Sequence, residues 1–160
     1  MKIQNALRDI CCYLDVTPWQ LGILSSSKGL IAGFIKFTLQ NNDQIDCTAL
    51  LNTGLLIPLN ITNIKIYNSN ADYVLIVEKD TVFEKLLNGN IFNKNLILIT
   101  GKGYPDINTR LMINKIWQKL HIPIYVLADA DPFGIEIMLI YRYGSKVKYP
   151  SSLHTLIINS

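Results

Sequence analysis

The sequence has no apolar run long enough to cross a membrane. None of its stretches reaches the roughly 18 to 20 consecutive apolar residues that a membrane-spanning helix needs. The first residues, MKIQNALRDI, mix charged and apolar positions, unlike the apolar centre of a secretory signal peptide. We therefore expect no secretory leader and no membrane partner.

Cysteine and charge of one sign are also scarce. The three cysteines, Cys11, Cys12 and Cys47, are odd in number and lack the spacing of a metal site, so we expect reduced thiols, as in an intracellular protein. The formal net charge of +3 permits contact with nucleic acid but does not argue for it. A chain of 160 residues is long enough for one domain with a sizeable core.

The most informative stretch is Ile124–Glu136, which reads IYVLADADPFGIE. Its first five residues are apolar and partly β-branched, which predicts a strand buried on both faces. Asp129 and Asp131 follow directly, and Pro132 begins a predicted helix. The two acids therefore fall on a strand-to-helix turn, where an open parallel sheet has its ligand crevice. An ordinary polar turn with a helix cap explains the same residues equally well.

The second half of the chain repeats this pattern of buried strand and helix. Strands are predicted at Tyr73–Val77, Leu96–Ile99 and Ile124–Ala128. A helix capped by Thr81 follows the first strand, a helix ending near Leu120 the second, and the helix from Pro132 the third. This alternation predicts right-handed crossovers and a parallel sheet flanked by helices.

The first half shows mixed patterns. Apolar spacing predicts an amphipathic helix over Ile3–Leu14 and a short second helix over Trp19–Leu24, which together form either a helix-turn-helix unit or two core helices. A strand over Leu30–Leu39 is predicted to turn back into a second strand over Ile45–Cys47. Residues 50–67 are expected to be a connection with one or two short strands.

Glu78 follows the first buried strand as Asp129 and Asp131 follow the third. Parallel strands end at the same edge of a sheet. These carboxylates are therefore expected within reach of one or two ions if the first and third strands are neighbours or one strand apart. Mg²⁺ prefers oxygen ligands, and a cation would offset the mutual repulsion of the acids. The alternative is that Glu78 pairs with Lys79 or Lys102 and binds no metal.

The same residues carry a resemblance to a known family. The chain resembles the A subunit of topoisomerase VI and its relative, the meiotic double-strand-break transesterase, which share a Toprim domain. The matching segments, in chain order, are Asp9–Ile10, Ser26–Gly33, Val77–Asp80, Gly101–Asp106 with Thr109–Arg110, Asp129–Gly134, Glu136–Met138 and Tyr143–Lys146.

The resemblance implies an α/β Toprim fold, a Rossmann-like parallel sheet. It implies that Glu78, Asp129 and Asp131 bind Mg²⁺. It also assigns Lys28, Lys102 and Arg110 to contacts with double-stranded DNA or its scissile phosphate. Gly103 and Gly134 are expected to permit close approach of the backbone.

The family's arrangement also predicts a domain order. We expect the remnant of a winged-helix-like cleavage domain at 1–28 and a β-rich connection at 29–70. The Toprim metal-binding core is expected at 71–150 and a truncated C-terminal tail at 151–160. In the family a tyrosine of the winged-helix-like domain attacks DNA, and none of the tyrosines here matches its motif. The chain is therefore expected to be truncated at both ends and inactive alone.

The functional expectation is a Mg²⁺-dependent, DNA-binding protein that makes meiotic double-strand breaks by tyrosine transesterification. Expected partners are a homodimer mate or full-length family member and B-type or accessory meiotic subunits, on chromosomes in the nucleus. Two alternatives stay open. One is a Toprim nuclease that hydrolyses DNA with metal and water, and the other is a non-catalytic module that binds DNA or a partner.

Overall fold

The structure, a computed structural model, describes residues 2–16, 18–23, 26–59, 61–89 and 95–144. It is a mixed α/β fold with a central sheet flanked by helices, as the sequence predicts. The α-helices of the described residues are α1 Lys2–Leu14, α2 Asp80–Asn88, α3 Ile107–Leu120 and α4 Pro132–Tyr143. Within the described residues, no helix has the length and apolar character to traverse a lipid bilayer.

The predicted C-terminal tail, 151–160, lies outside the described residues. So do the last six positions of the predicted metal-binding core, 145–150, which include the end of the motif Tyr143–Lys146.

In the described residues the strands of the central sheet are β1 Leu30–Gly33, β4 Leu55–Leu56, β6 Tyr73–Val77, β7 Leu96–Thr100 and β8 Ile124–Leu127. They lie in the order β4-β1-β7-β6-β8. The strands β7, β6 and β8 are parallel, which confirms the predicted parallel sheet. The other two strands come from residues 29–70: β1 is antiparallel to both of its neighbours, β7 and β4. The expected connection thus supplies two strands of the core sheet.

The predicted strand over Leu30–Leu39 is in fact two strands that belong to different sheets. Gly33 has a φ of +108°, and a Cβ there would lie 2.2 Å from the carbonyl oxygen of Leu96. The chain bends at Phe34, directly after this glycine. Position 33 requires glycine because a residue with a side chain would be both strained and in collision there. Strand β2, Ile35–Thr38, then enters a second sheet of order β3-β2-β5, with β3 at Gln44–Asp46 and β5 at Lys65–Ser69.

The central sheet is covered on both faces. Phe83 and Leu87 of α2 pack with Val77 and Leu98 on one face. On the other face the apolar side chains of α3 and α4 pack with the sheet; they include Met112, Ile113, Ile116, Ile137 and Tyr141. Buried strands between two helical layers hold the loops at their carboxyl ends in place, and these loops carry the acids.

Among the residues that the structure describes, strand β8 lies at the edge of the sheet, which corrects one expectation. The apolar run Ile124–Ala128 predicted burial on both faces, yet Tyr125 and Leu127 are 56% and 48% exposed. The exposure of successive residues alternates along β8 because only one face of this strand packs on the described core. An edge strand with apolar side chains on both faces has the same local sequence as a central one.

Two helix starts also differ from their predictions. The predicted helix over Trp19–Leu24 is a short 3₁₀ turn at Pro18–Leu21. Helix α2 begins at Asp80 with Lys79 as its N-cap, so the predicted cap at Thr81 is wrong. Helix α1 is confirmed over the span that its apolar spacing predicted.

The carboxyl group of Asp46 is expected to make the stability of the second sheet depend on pH in the acid range. Lys36, whose Nζ lies 2.6 Å from Asp46, and Thr48 lower the pKa of the Asp46 carboxyl to about 2. A lowered pKa contributes stability above the unfolded value of about 3.9, and this contribution disappears as pH falls through the folded value. We expect Asp46→Asn, which retains a capping side chain, to melt below the wild type at pH 7. In thermal unfolding, the difference in melting temperature between the variant and the wild type should narrow between about pH 4 and 2. A difference that stays the same over this pH range would contradict this assignment.

Candidate metal centre

The candidate site lies at the edge where the parallel strands end. Strand β6 pairs with β7 on one side and β8 on the other, so the loops after all three strands adjoin. The sequence left open whether the strands bearing Glu78 and Asp129 are neighbours, and the structure makes them direct neighbours. Ligands of open α/β sheets bind at this kind of edge.

Glu78 joins the three loops through separate hydrogen bonds. The backbone N–H of Asp129 donates to Glu78 Oε2 at 2.9 Å. The backbone N–H of Glu78 donates to the Leu127 carbonyl at 3.0 Å, and the backbone N–H of Gly103 donates to the Glu78 carbonyl at 2.9 Å. The carboxylate of Glu78 is thus held directly against the β8 loop.

The two aspartates of the β8 loop are held differently. Asp131 is the N-cap of α4, and its Oδ1 accepts from the backbone N–H of Gly134 at 2.7 Å. The helix-cap interpretation is therefore correct for this residue, and it leaves the second carboxylate oxygen outside the cap. Asp129 forms an ion pair with Lys79.

Two lysines at this edge pair with aspartates. Lys79 pairs with Asp129, and Lys102 Nζ lies 3.0 Å from Asp80 Oδ2. The alternative interpretation of the sequence placed one of these two lysines on Glu78 instead. The structure assigns both to other carboxylates, and the Glu78 carboxylate accepts from the backbone of the β8 loop.

Gly134 permits the predicted close approach of the backbone. A Cβ on Gly134 would lie 2.1 Å from the carbonyl oxygen of Asp129. Gly103 has another role, which corrects its interpretation: nothing lies within 4 Å of its ideal Cβ, and its φ is +85°. At Gly103 the backbone conformation demands glycine, whereas at Gly134 the contact with the aspartate loop does.

The structure brings two of the three predicted basic residues to this edge. Lys28 donates through Nζ to the carbonyl of Lys102 at 3.2 Å, and both residues are exposed. Arg110 lies on α3 and is only 6% exposed, so it lies behind this surface. The buried position of Arg110 follows from helix packing, which the motif match does not report.

Three further residues at this edge, Asp106, Tyr104 and Glu136, have roles that the sequence did not predict. Asp106 accepts from the backbone N–H groups of Lys28 and Thr109, at 2.9 and 2.8 Å. It therefore joins the loop that carries Lys28 to the start of α3. An aspartate before an apolar helix is a capping signal that could have identified it. Tyr104 donates to Glu136 Oε2 at 2.7 Å, and no local pattern predicts this contact between a loop and α4.

The charges of the acids converge even though they do not form a closed cage. In the part of the chain that the structure describes, no group of three or more His, Cys, Asp or Glu residues is arranged to hold a metal. Nevertheless Asp129, Glu78 and Asp131 all raise the pKa of the Lys79 ammonium, the hydrogen bond to Asp129 being the largest cause. The oxygens of these carboxylates are the ligand type that Mg²⁺ takes. The chemistry of the donor groups therefore suits this ion, although the described residues do not enclose it.

The fold and this acidic edge define an α/β domain that carries carboxylates where its parallel strands end. Residues 73–158 match the family model that describes the Toprim domain shared by Spo11 and the A subunit of topoisomerase 6. The chain belongs to this family, as its sequence motifs indicated.

Relatives from animals and plants are similar over most of the chain. The human "Meiotic recombination protein SPO11" is 48% identical across 89% of this chain and 36% of the relative. The "Meiotic recombination protein W68" of Drosophila melanogaster is 45% identical across 91% and 44%. The A subunit of DNA topoisomerase 6 from Arabidopsis thaliana is 37% identical across 88% and 33%. The chain thus spans between a third and a half of the length of these relatives.

Proposed function

We propose that this chain is the metal-binding module of a protein that makes meiotic DNA double-strand breaks by tyrosine transesterification. The observation that carries the proposal is the 2.9 Å hydrogen bond from Asp129 to Glu78, because it joins the two acidic strand ends. Similarity to proteins named for meiotic recombination and for topoisomerase 6 supports the choice of reaction. On this proposal the protein acts on chromosomes in the nucleus.

Glu78, Asp129 and Asp131 are the proposed Mg²⁺ ligands. When bound, the ion would offset negative charge at the scissile phosphate. Lys28 and Lys102 contact phosphates of double-stranded DNA, which gives affinity without reading sequence. The family resemblance assigns Arg110 to the same contact, but because this residue is 6% exposed we propose that it supports the surface from behind.

The proposed reaction exchanges one phosphate ester for another. The tyrosine oxygen bonds to phosphorus as the bond from phosphorus to the 3′ oxygen breaks, and the protein stays linked to the 5′ end. The tyrosine loses its proton to solvent, and the leaving 3′ oxygen gains one to become a hydroxyl. We propose that the tyrosine acting at this metal site belongs to the other subunit of a dimer of family members, with B-type or accessory subunits completing the assembly.

A mixed-chain cleavage assay tests this function. A full-length relative whose own metal-binding acids are exchanged for amides, but whose tyrosine is intact, is mixed with this chain, Mg²⁺ and duplex DNA. We expect protein covalently attached to 5′ ends only when both chains are present, and its loss with Glu78→Gln in this chain. Cleavage by this chain alone, without covalent attachment, would instead favour the hydrolytic nuclease. Metal and DNA binding with no cleavage in any mixture would favour the non-catalytic module.

A further inference from the structure

Lys79 occupies a position that local structure does not favour. It is the N-cap of α2, and its side chain makes no capping hydrogen bond. Ser, Thr, Asp and Asn are the residues preferred there, since their side chains accept from the first N–H groups of a helix. A positive charge at this end also opposes the helix dipole. Some interaction outside the helix must therefore account for the placement of this ammonium.

That interaction is with the β8 loop. Lys79 Nζ forms an ion pair with Asp129 Oδ2, and the two side chains are 53% and 46% exposed. Lys102, the neighbouring lysine at this edge, is instead paired with Asp80. Of these two lysines, Lys79 is the one whose ion pair involves a proposed metal ligand, and its long stem can move into solvent.

We propose that Lys79 is a tethered counter-cation that neutralises Asp129 when no metal is bound and is displaced from it when Mg²⁺ binds. The inference rests on the proposed metal site. An ammonium that stayed on one oxygen of the Asp129 carboxylate would repel a Mg²⁺ ion bound to either oxygen, because the two cations would lie close together. Loading the site therefore includes the cost of breaking the pair between Lys79 and Asp129.

Because Lys79 and the metal ion compete for Asp129, removal of this lysine should strengthen metal binding. An exposed ion pair of this kind corresponds to a change of up to about fivefold in an equilibrium constant. We expect Lys79→Gln to bind Mn²⁺, used as a paramagnetic substitute for Mg²⁺, about two- to fivefold more tightly than the wild-type chain. Lys79→Arg, which retains the charge, should bind as the wild type does.

The measurement is an electron paramagnetic resonance titration of the 160-residue chain with Mn²⁺ at about 0.15 M salt, where the Debye length of about 8 Å limits long-range charge effects. Lys85→Gln is the matched control, because Lys85 is an exposed lysine in the last turn of α2. It removes the same charge at the other end of the helix, and its affinity should equal that of the wild type.

A second measurement does not depend on any variant. In the wild-type chain the ¹³Cε resonance of Lys79 should move toward the position of an unpaired lysine as Mg²⁺ is added. If the wild type binds Mn²⁺ but Lys79→Gln binds equally or more weakly while keeping its circular dichroism spectrum, the inference is overturned and the metal site stands. If the wild type shows no saturable Mn²⁺ binding, or if Glu78→Gln does not remove that binding, both the metal site and the inference are overturned.

Discussion

Exchange of Glu78 for glutamine is expected to weaken Mg²⁺ binding by about 10- to 100-fold, because metal affinity depends strongly on the charge and number of ligands. The amide keeps an oxygen that can accept the hydrogen bond from the Asp129 backbone, so the loop geometry should survive. A metal concentration of about 100 times Kd stabilises a protein by about 2.7 kcal/mol. The same concentration would stabilise a variant weakened 100-fold by only about 0.4 kcal/mol.

Thermal unfolding with and without Mg²⁺ measures this difference. Without metal the variant should melt at or above the wild-type temperature, because one of several clustered negative charges has been removed. Glu84→Gln is the matched control: Glu84 is an exposed glutamate on α2, and its exchange should leave the response to Mg²⁺ unchanged. An equal response to Mg²⁺ in Glu78→Gln and the wild type would exclude Glu78 as a ligand.

Substitution of Gly134 by alanine is expected to destabilise the fold by about 3 kcal/mol, near the upper end of the cost of overpacking. The added Cβ would lie 2.1 Å from the Asp129 carbonyl oxygen and 3.0 Å from the nitrogen of the same residue. Both are backbone atoms, so the collision cannot be relieved by rotating a side chain. For a chain of this size the loss corresponds to a decrease in Tm of about 6 to 12 °C.

Gly103→Ala is the control for this substitution. It adds the same methyl group in open space, at a φ of +85°, so it should cost only the backbone strain of about 1 to 2 kcal/mol. Chemical unfolding of both variants compares the two effects. A smaller loss in Gly134→Ala than in Gly103→Ala would show that the loop of Asp129 yields easily, and that Gly134 does not hold it in place.

The candidate site could be predicted to different degrees for its different parts. Glu78 and the aspartates were found because each follows a run of apolar, β-branched residues, and the end of such a run is visible in the local sequence. Asp131 and Pro132 also mark the start of α4 correctly, since capping depends on residues three positions apart. The ion pair between Lys79 and Asp129 joins residues far apart in the chain, and no periodicity reports it.

The sequence by itself determined where the strands and helices alternate, which turns carry acids and which family the motifs resemble. These features depend on short-range spacing and on local backbone preferences. Only the tertiary structure decided that β8 adjoins β6 at the edge of the sheet and that the chain bends directly after Gly33 into a second sheet. It also decided that Arg110 is buried whereas Lys28 is exposed. Such outcomes depend on which distant segments pack together, because burial and strand order are properties of the assembled layers and not of any one segment.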